Sequence, residues 1–189
     1  MRKIPTLFVR DPENRANVTD EVNEGCEWVL AGEGVATRKY DGTCTMLGNN
    51  GKWWARREVK PGKNPPENYV IDNFDEVTGK TQGWEPIEQS PFAKFHDEAL
   101  VNWVPLYMPP GTYELIGPKI NGNPENVYAH DLIPHAHASI WPLSSYDIPS
   151  IKDHVFWMAD ILGAEGIVWH HPDGRMAKLK AKDLRGRTE

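Results

Sequence analysis

Apolar and polar positions alternate in short runs along most of this chain, and one stretch repeats at a helical period. Val35 to Tyr40, Thr43 to Leu47 and Trp53 to Val59 are extended runs of strand length. Between the last two, Gly48-Asn49-Asn50-Gly51 offers residues that tolerate positive φ, which predicts a hairpin. This pattern puts Lys39 at the mouth of a small antiparallel sheet, with Arg56 on a neighbouring strand. Residues 1–20 read as polar and loop-like apart from Ile4 to Val9, and residues 26–32 as a strand or a short buried element. Residues 60–91, rich in Pro, Gly, Asn and Glu, read as a long surface excursion. Phe95 to Trp103 suggests a short helix. Thr112 to Ile116 and Val127 to Ile133 are further extended runs, set off by turns at Pro109-Pro110-Gly111 and Asn121 to Pro124.

The clearest helix spans 148–162. Asp147 can cap it, Pro149 suits its first turn and Gly163 ends it. Ile151, Val155, Met158 and Leu162 fall on one face, the stripe that a core requires. A terminal hairpin follows, from Ala164 to His170 and back from Arg175 to Lys180 through Pro172-Asp173-Gly174. Strands with few helices and no internal repeat predict an α+β chain of mostly antiparallel sheet, read as a single domain over 1–189.

Composition narrows the class. Hydrophobic residues are 39% and charged residues 25% of the 189, as in globular proteins. No apolar run is long enough to span a membrane, and Met-Arg-Lys-Ile-Pro-Thr lacks the apolar core of a signal peptide. Cys26 and Cys44 form neither a disulfide framework nor a zinc pattern. An intracellular, cytoplasmic protein is expected, so the Asn17-Val18-Thr19 sequon is read as chance. A net charge of −6 argues against a general nucleic-acid coat. It leaves room for a local basic groove, because field focusing depends on where charges sit. Residues 52–63 and the tail from Arg175 to Arg187 are locally basic.

Candidate chemistry begins at Lys39-Tyr40-Asp41-Gly42. A neutral lysine amine can attack phosphorus and store the energy of a cleaved anhydride as a phosphoramidate. Taken alone, these four residues read as a solvated β-turn. Glu114 in Glu-Leu-Ile-Gly, Glu165 in Glu-Gly-Ile-Val and the pair Lys178 and Lys180 all fall on extended runs. Strand alternation puts both lysines of Lys-Leu-Lys on one face. Taken singly, the two glutamates read as solvated strand carboxylates. His130, His135 and His137 do not match a zinc spacing and read as core or surface residues. Trp53 reads first as packing and second as a base-stacking ring, and Arg57 as the outward neighbour of Arg56.

In this order, KxDG, an arginine strand, Glu-x-x-Gly, Glu-Gly-x-Val and Lys-x-Lys, the motifs resemble those of the covalent nucleotidyltransferases: polynucleotide ligases and mRNA capping enzymes. Trp54-Ala55-Arg56, Glu114 to Pro124, Leu132 to His135 and Glu165 to His170 look most like the vertebrate-type RNA 5′-phosphate and 3′-hydroxyl ligases, a resemblance running from about residue 33 to 185. It implies an adenylation-type fold, ATP, Mg²⁺ (or Mn²⁺), and RNA ends as substrate.

On that resemblance Lys39 is expected to become lysyl-AMP, helped to lose its proton by neighbouring cations and a metal. Asp41, beside Gly42, would orient the lysine or the metal's water shell, and Arg56 would clamp a ribose or phosphate oxygen. Glu114 would accept from a ribose hydroxyl, and His130, or failing it Tyr128, would stack on the base. Glu165 would engage the metal, while Lys178 and Lys180 would neutralise the α-phosphate. Only nine residues follow Lys180, so no oligonucleotide-binding domain is expected, and an accessory RNA-binding partner is a possibility. A DNA-nick ligase, a GTP-using capping-type transferase, and a non-enzymatic nucleotide- or end-binding module stay open as alternatives.

Overall fold

The computed structural model describes residues 3–76, 78–102 and 107–185. In chain order the elements are β1 (Phe8–Arg10), β2 (Val18–Val22), α1 (Glu27–Leu30), β3 (Val35–Lys39), β4 (Thr43–Leu47), β5 (Trp53–Val59), β6 (Val70–Asp75) and β7 (Lys80–Pro86). They continue with α2 (Ala93–Asn102), β8 (Gly111–Ile116), β9 (Asp131–Pro134), α3 (Ile148–Leu162), β10 (Gly166–His170), β11 (Met176–Lys180) and α4 (Ala181–Arg185). The fold is α+β with antiparallel sheets. No helix among the described residues is long and apolar enough to cross a membrane.

The chain forms two compact units. Residues 41–137 make a continuous unit, while residues 3–40 and 138–185 together make a discontinuous one.

The discontinuous unit is built on the sheet β11-β10-β3, with β1 and β2 as a separate hairpin. Along β11 the alternation is strict: Ala177 and Leu179 are buried, while Met176, Lys178 and Lys180 are half-buried on the other face. The buried side of this sheet joins Leu7, Phe8, Val29, Ile151, Val155, Met158, Ile167 and Trp169 in one core. Helix α3 supplies the stripe Ile151, Val155 and Met158. It starts at Asp147, whose side chain accepts from the Ser150 N–H, and ends at Gly163 in the left-handed conformation with φ 64°. A further segment lengthens the sheet beyond β11. The Leu7 N–H donates to the Lys178 carbonyl at 2.7 Å, and the Lys178 N–H donates to the Pro5 carbonyl at 3.0 Å.

The continuous unit is a six-stranded antiparallel sheet in the order β6-β7-β5-β4-β8-β9. Its core gathers Tyr113, Leu115, Leu132, Ile120 and Ala99, with Phe92, Phe95 and Trp53 packed against them.

Several expectations change. Residues 60–91 are not an excursion. They hold β6 and β7, and β7 buries Gln82, Gly83, Trp84 and Glu85. The N-terminal twenty residues contribute β1, most of β2 and the edge of a sheet, and residues 26–32 contain a single helical turn that buries Trp28 and Val29. Strand β9 begins only at Asp131. Helix α2 covers most of the expected segment, whose last residue, Trp103, lies outside the described residues. Finally, β3 does not share a sheet with β5, so Lys39 and Arg56 are not on neighbouring strands.

Candidate active site

In the discontinuous unit, Lys39 ends β3 and lies opposite Gly166 at the start of β10. Register fixes what faces it. Thr37 and Lys39 of β3, Gly166 and Val168 of β10, and Lys178 and Lys180 of β11 all share one side of the sheet. Glu165 is held where the three strands meet. Its N–H donates to the Lys39 carbonyl at 3.2 Å, and its carbonyl accepts from the Ala181 N–H at 3.0 Å. The glycine after it is required by space. A Cβ on Gly166 would lie 2.0 Å from the Leu179 carbonyl oxygen, so only glycine lets β11 approach this closely.

These backbone constraints gather three ammonium groups around one carboxylate. Lys39 Nζ lies 2.5 Å from Glu165 Oε2, Lys180 Nζ bonds Oε1, and Lys182 Nζ is 3.7 Å from the same oxygen. The Glu165 side chain is only 8% exposed. Burial pushes its carboxyl up, but Lys39 and Lys180 together outweigh that and hold it below the ordinary glutamate range. Lys178 makes no ion pair among the described residues. Burial, then the nearby charges of Lys180 and Lys39, push its ammonium down to about 8.

In the continuous unit a second polar group forms around the first turn after β3. Glu114 of β8 takes the Gly42 N–H on Oε1 at 3.1 Å and faces His135 Nε2 from Oε2 at 2.9 Å. A Cβ on Gly42 would meet the Leu115 carbonyl at 2.3 Å, which explains the glycine of the KxDG turn. Asp41 accepts from Asn121 Nδ2 at 3.1 Å, and its N–H donates to Glu125 at 2.8 Å. Arg56 is held by Gln82 at 2.6 Å, while Arg57 on the opposite side is exposed. Cys44 pairs with Glu114 across β4 and β8. With His135 they bring thiol, carboxylate and imidazole atoms within 4.8 Å of one another.

With this geometry in view, one comparison carries weight. The chain is similar to mouse RNA ligase 1. It is 24% identical over 266 residues, spanning 97% of this chain and 80% of the mouse protein. No protein-family profile matches the sequence.

The structure thus brings Lys39, Glu165, Lys178 and Lys180 together in one unit, and Asp41, Gly42 and Glu114 together in the other. His130 has other partners. It is buried, its ring is stacked on Phe95 at 4.8 Å, and its Nδ1 is 2.8 Å from Glu98. Tyr128 is fully exposed. Trp53 packs edge-on against His96 and Tyr113. Sequence reasoning did not single out Lys182, which reaches Glu165, or Cys44, and it set His135 aside. Lys182 lies on α4, just past the end of β11, so strand alternation did not announce it. Cys44 and His135 meet Glu114 only through strand pairing that no local spacing encodes.

Proposed function

We propose that this chain is an ATP-dependent RNA ligase that joins 5′-phosphate and 3′-hydroxyl ends through lysyl-AMP. The observation that carries the reading is Lys39, held against a buried carboxylate on a sheet face that also bears Lys178 and Lys180. The similarity to mouse RNA ligase 1 and the order of motifs support it.

Lys39 Nζ must lose a proton before it can attack, and Glu165 Oε2 lies within proton-transfer distance at 2.5 Å. A bond then forms from Nζ to the α-phosphorus of ATP as the bond to the bridging oxygen breaks and pyrophosphate leaves. Lys178 and Lys180 face the same space and neutralise charge that builds on the α-phosphate, where preorganised cations act most strongly. Once Lys39 is consumed by AMP, Glu165 loses one of its two close ammonium partners. A 5′-phosphate oxygen of RNA next attacks the α-phosphorus and breaks the P–N bond, and a 3′-hydroxyl then displaces AMP.

A single carboxylate ringed by ammonium groups is no multi-oxygen cage, but one protein oxygen together with nucleotide phosphates suits Mg²⁺. Glu165 would hold it, and Mg²⁺ would draw electron density from the phosphoryl oxygens.

The test is incubation with α-labelled ATP or GTP and Mg²⁺, followed by a denaturing gel. Label is expected on the protein with ATP only and absent in Lys39→Ala. Nicked duplex DNA should be sealed less well than 5′-phosphorylated RNA. No label from either nucleotide would sink the covalent mechanism, and better sealing of DNA would move the assignment to a DNA ligase.

A further inference from the structure

Cys44, Glu114 and His135 come from strands that lie side by side in the six-stranded sheet. Cys44 of β4 is directly opposite Glu114 of β8. Strand β8 pairs in turn with β9, where Tyr113 is opposite Pro134, and one step further along brings Thr112 beside His135. Positions 112 and 114 share a face of β8, because alternate residues of a strand point the same way. The side chains follow this register. His135 Nδ1 lies 2.9 Å from Thr112 Oγ1, and His135 Nε2 lies 2.9 Å from Glu114 Oε2. One thiol sulfur, one carboxylate oxygen and one imidazole nitrogen thus fall within 4.8 Å of one another. All three residues belong to the continuous unit.

The donor set selects the ligand. Hard cations such as Mg²⁺ and Ca²⁺ take oxygen, so sulfur and imidazole in one cluster disfavour them. Zn²⁺ accepts thiolate, imidazole and carboxylate together, with bonds of about 2.0–2.3 Å. Around a tetrahedral ion of that size, neighbouring donors sit about 3.3–3.8 Å apart, so small side-chain rotations close the set with the strands unmoved. The surroundings suit an ion as well. A ring that ligates through Nε2 donates its Nδ1–H elsewhere, and Thr112 Oγ1 is placed to accept it. Glu114 keeps Oε1 on the Gly42 N–H at 3.1 Å, which orients the carboxylate with Oε2 toward the cluster. The Glu114 and His135 side chains are 13% and 27% exposed, so an ion can enter from solvent and still be largely shielded from it.

We propose that Cys44, Glu114 and His135 form a site for a borderline-soft divalent cation, Zn²⁺ above all, with water in the fourth tetrahedral position. Binding forms one bond each from the ion to Sγ, Oε2 and Nε2. The thiol releases its proton to solvent, and a neutral His135 carries its one proton on Nδ1, so one proton leaves per ion bound. An ion here ties β4, β8 and β9 to one another and, through Glu114, to the turn at Gly42. The site is separate in chemistry from the Mg²⁺ assigned to Glu165 and does not depend on the ligase reading.

Titration of the full chain with Co²⁺, which takes the same ligands and reports them in its spectrum, is the direct test. One ion per chain should give the visible bands of tetrahedral cobalt and a thiolate-to-cobalt charge-transfer band. Zn²⁺ should displace it, and a large excess of Mg²⁺ should not. By calorimetry, Thr112→Val removes only the outer partner and should weaken Zn²⁺ binding by about ten-fold. Cys44→Ala and His135→Ala should each weaken it further, and Cys44→Ala should abolish the charge-transfer band. His137→Ala, at the exposed histidine two residues on, should leave binding unchanged. Absence of the charge-transfer band in the parent chain, Zn²⁺ binding retained by Cys44→Ala, or displacement by Mg²⁺ would each overturn the site. Circular dichroism checks that every variant is folded. Should one not fold, alkylation of Cys44 in the parent chain, read by peptide mass, gives the same answer. Zn²⁺ should slow it in proportion to occupancy, and an unchanged rate would overturn the proposal. Neither ATP nor RNA enters these measurements, so a chain never labelled at Lys39 still tests the metal site.

Discussion

Lys178 shows at the scale of one residue how a site can be held ready at the expense of stability. Folding takes its ammonium from water and sets it near Lys180 and Lys39, so the folded chain releases that proton near pH 8. The unfolded chain holds it to about 10.5. Between those values the unfolded state binds more protons, so this residue makes stability rise with pH across that window. Below pH 8 the folded chain carries the whole penalty. Lys178→Met keeps the length of the side chain and removes the charge. It should stabilise the protein at pH 7 by about 1–2 kcal/mol, with most of the gain gone by pH 10, while labelling of Lys39 is lost. Urea unfolding at the two pH values, run beside the labelling assay, measures both effects. A variant that is less stable at pH 7 would show that Lys178 is a packing residue. Glu165 behaves in the opposite sense. Its carboxyl is held below the ordinary range, so its contribution is full above about pH 4.3 and fades as pH falls through its lower folded value.

Elements fix these side chains in place, and the closest fit is between β10 and β11. With the Gly166 Cα facing the Leu179 carbonyl, any side chain there must push the strands apart. Gly166→Ala should therefore cost about 2 kcal/mol, and it should raise amide exchange along Met176–Lys180 before it affects β4 or β5. Hydrogen exchange read strand by strand checks this, and uniform loosening of both sheets would refute it. The same pair of strands was among the most legible parts of the sequence. A continuous apolar run from Gly166 to Trp169, a turn at Pro172-Asp173-Gly174 and strict alternation from Met176 to Lys180 mark the two strands and their connection. Helix α3 was legible for a similar reason, with Asp147, Pro149 and Gly163 marking both ends of one apolar stripe. Strands β2 and β6 were not. Their sequences, VTDEV and VIDNFD, leave most positions half-buried or exposed, so no apolar face announces them. Strand partnership was hidden as well. Lys39 pairs with Gly166, across 127 residues of chain, and nothing in the local pattern of β3 favours that partner over nearby β4.

For the whole molecule, charge is distributed against its own average. A net of −6 belongs to the chain, yet one sheet face in the discontinuous unit gathers Lys39, Lys178 and Lys180, and Lys182 of α4 reaches the same carboxylate. The grouping of Lys178 and Lys180 was readable from alternation. The division of the chain has another outcome. Residues 41–137 leave the discontinuous unit after Tyr40 and return at Ala138. At that crossing the unit is already closed on itself: the Arg38 N–H donates to the Ser139 carbonyl at 2.8 Å, and the Tyr40 hydroxyl lies 3.1 Å from Ser139 Oγ. Its core, from Leu7 to Ala181, draws on neither β4 nor β8. A chain in which a short Gly-Ser linker replaces residues 41–137 should therefore fold cooperatively, with near-ultraviolet circular dichroism from Trp28 and Trp169; a molten, non-cooperative product would contradict this. In genetic terms, residues 41–137 form a cassette whose two junctions lie side by side, so an in-frame excision needs only a short bridge.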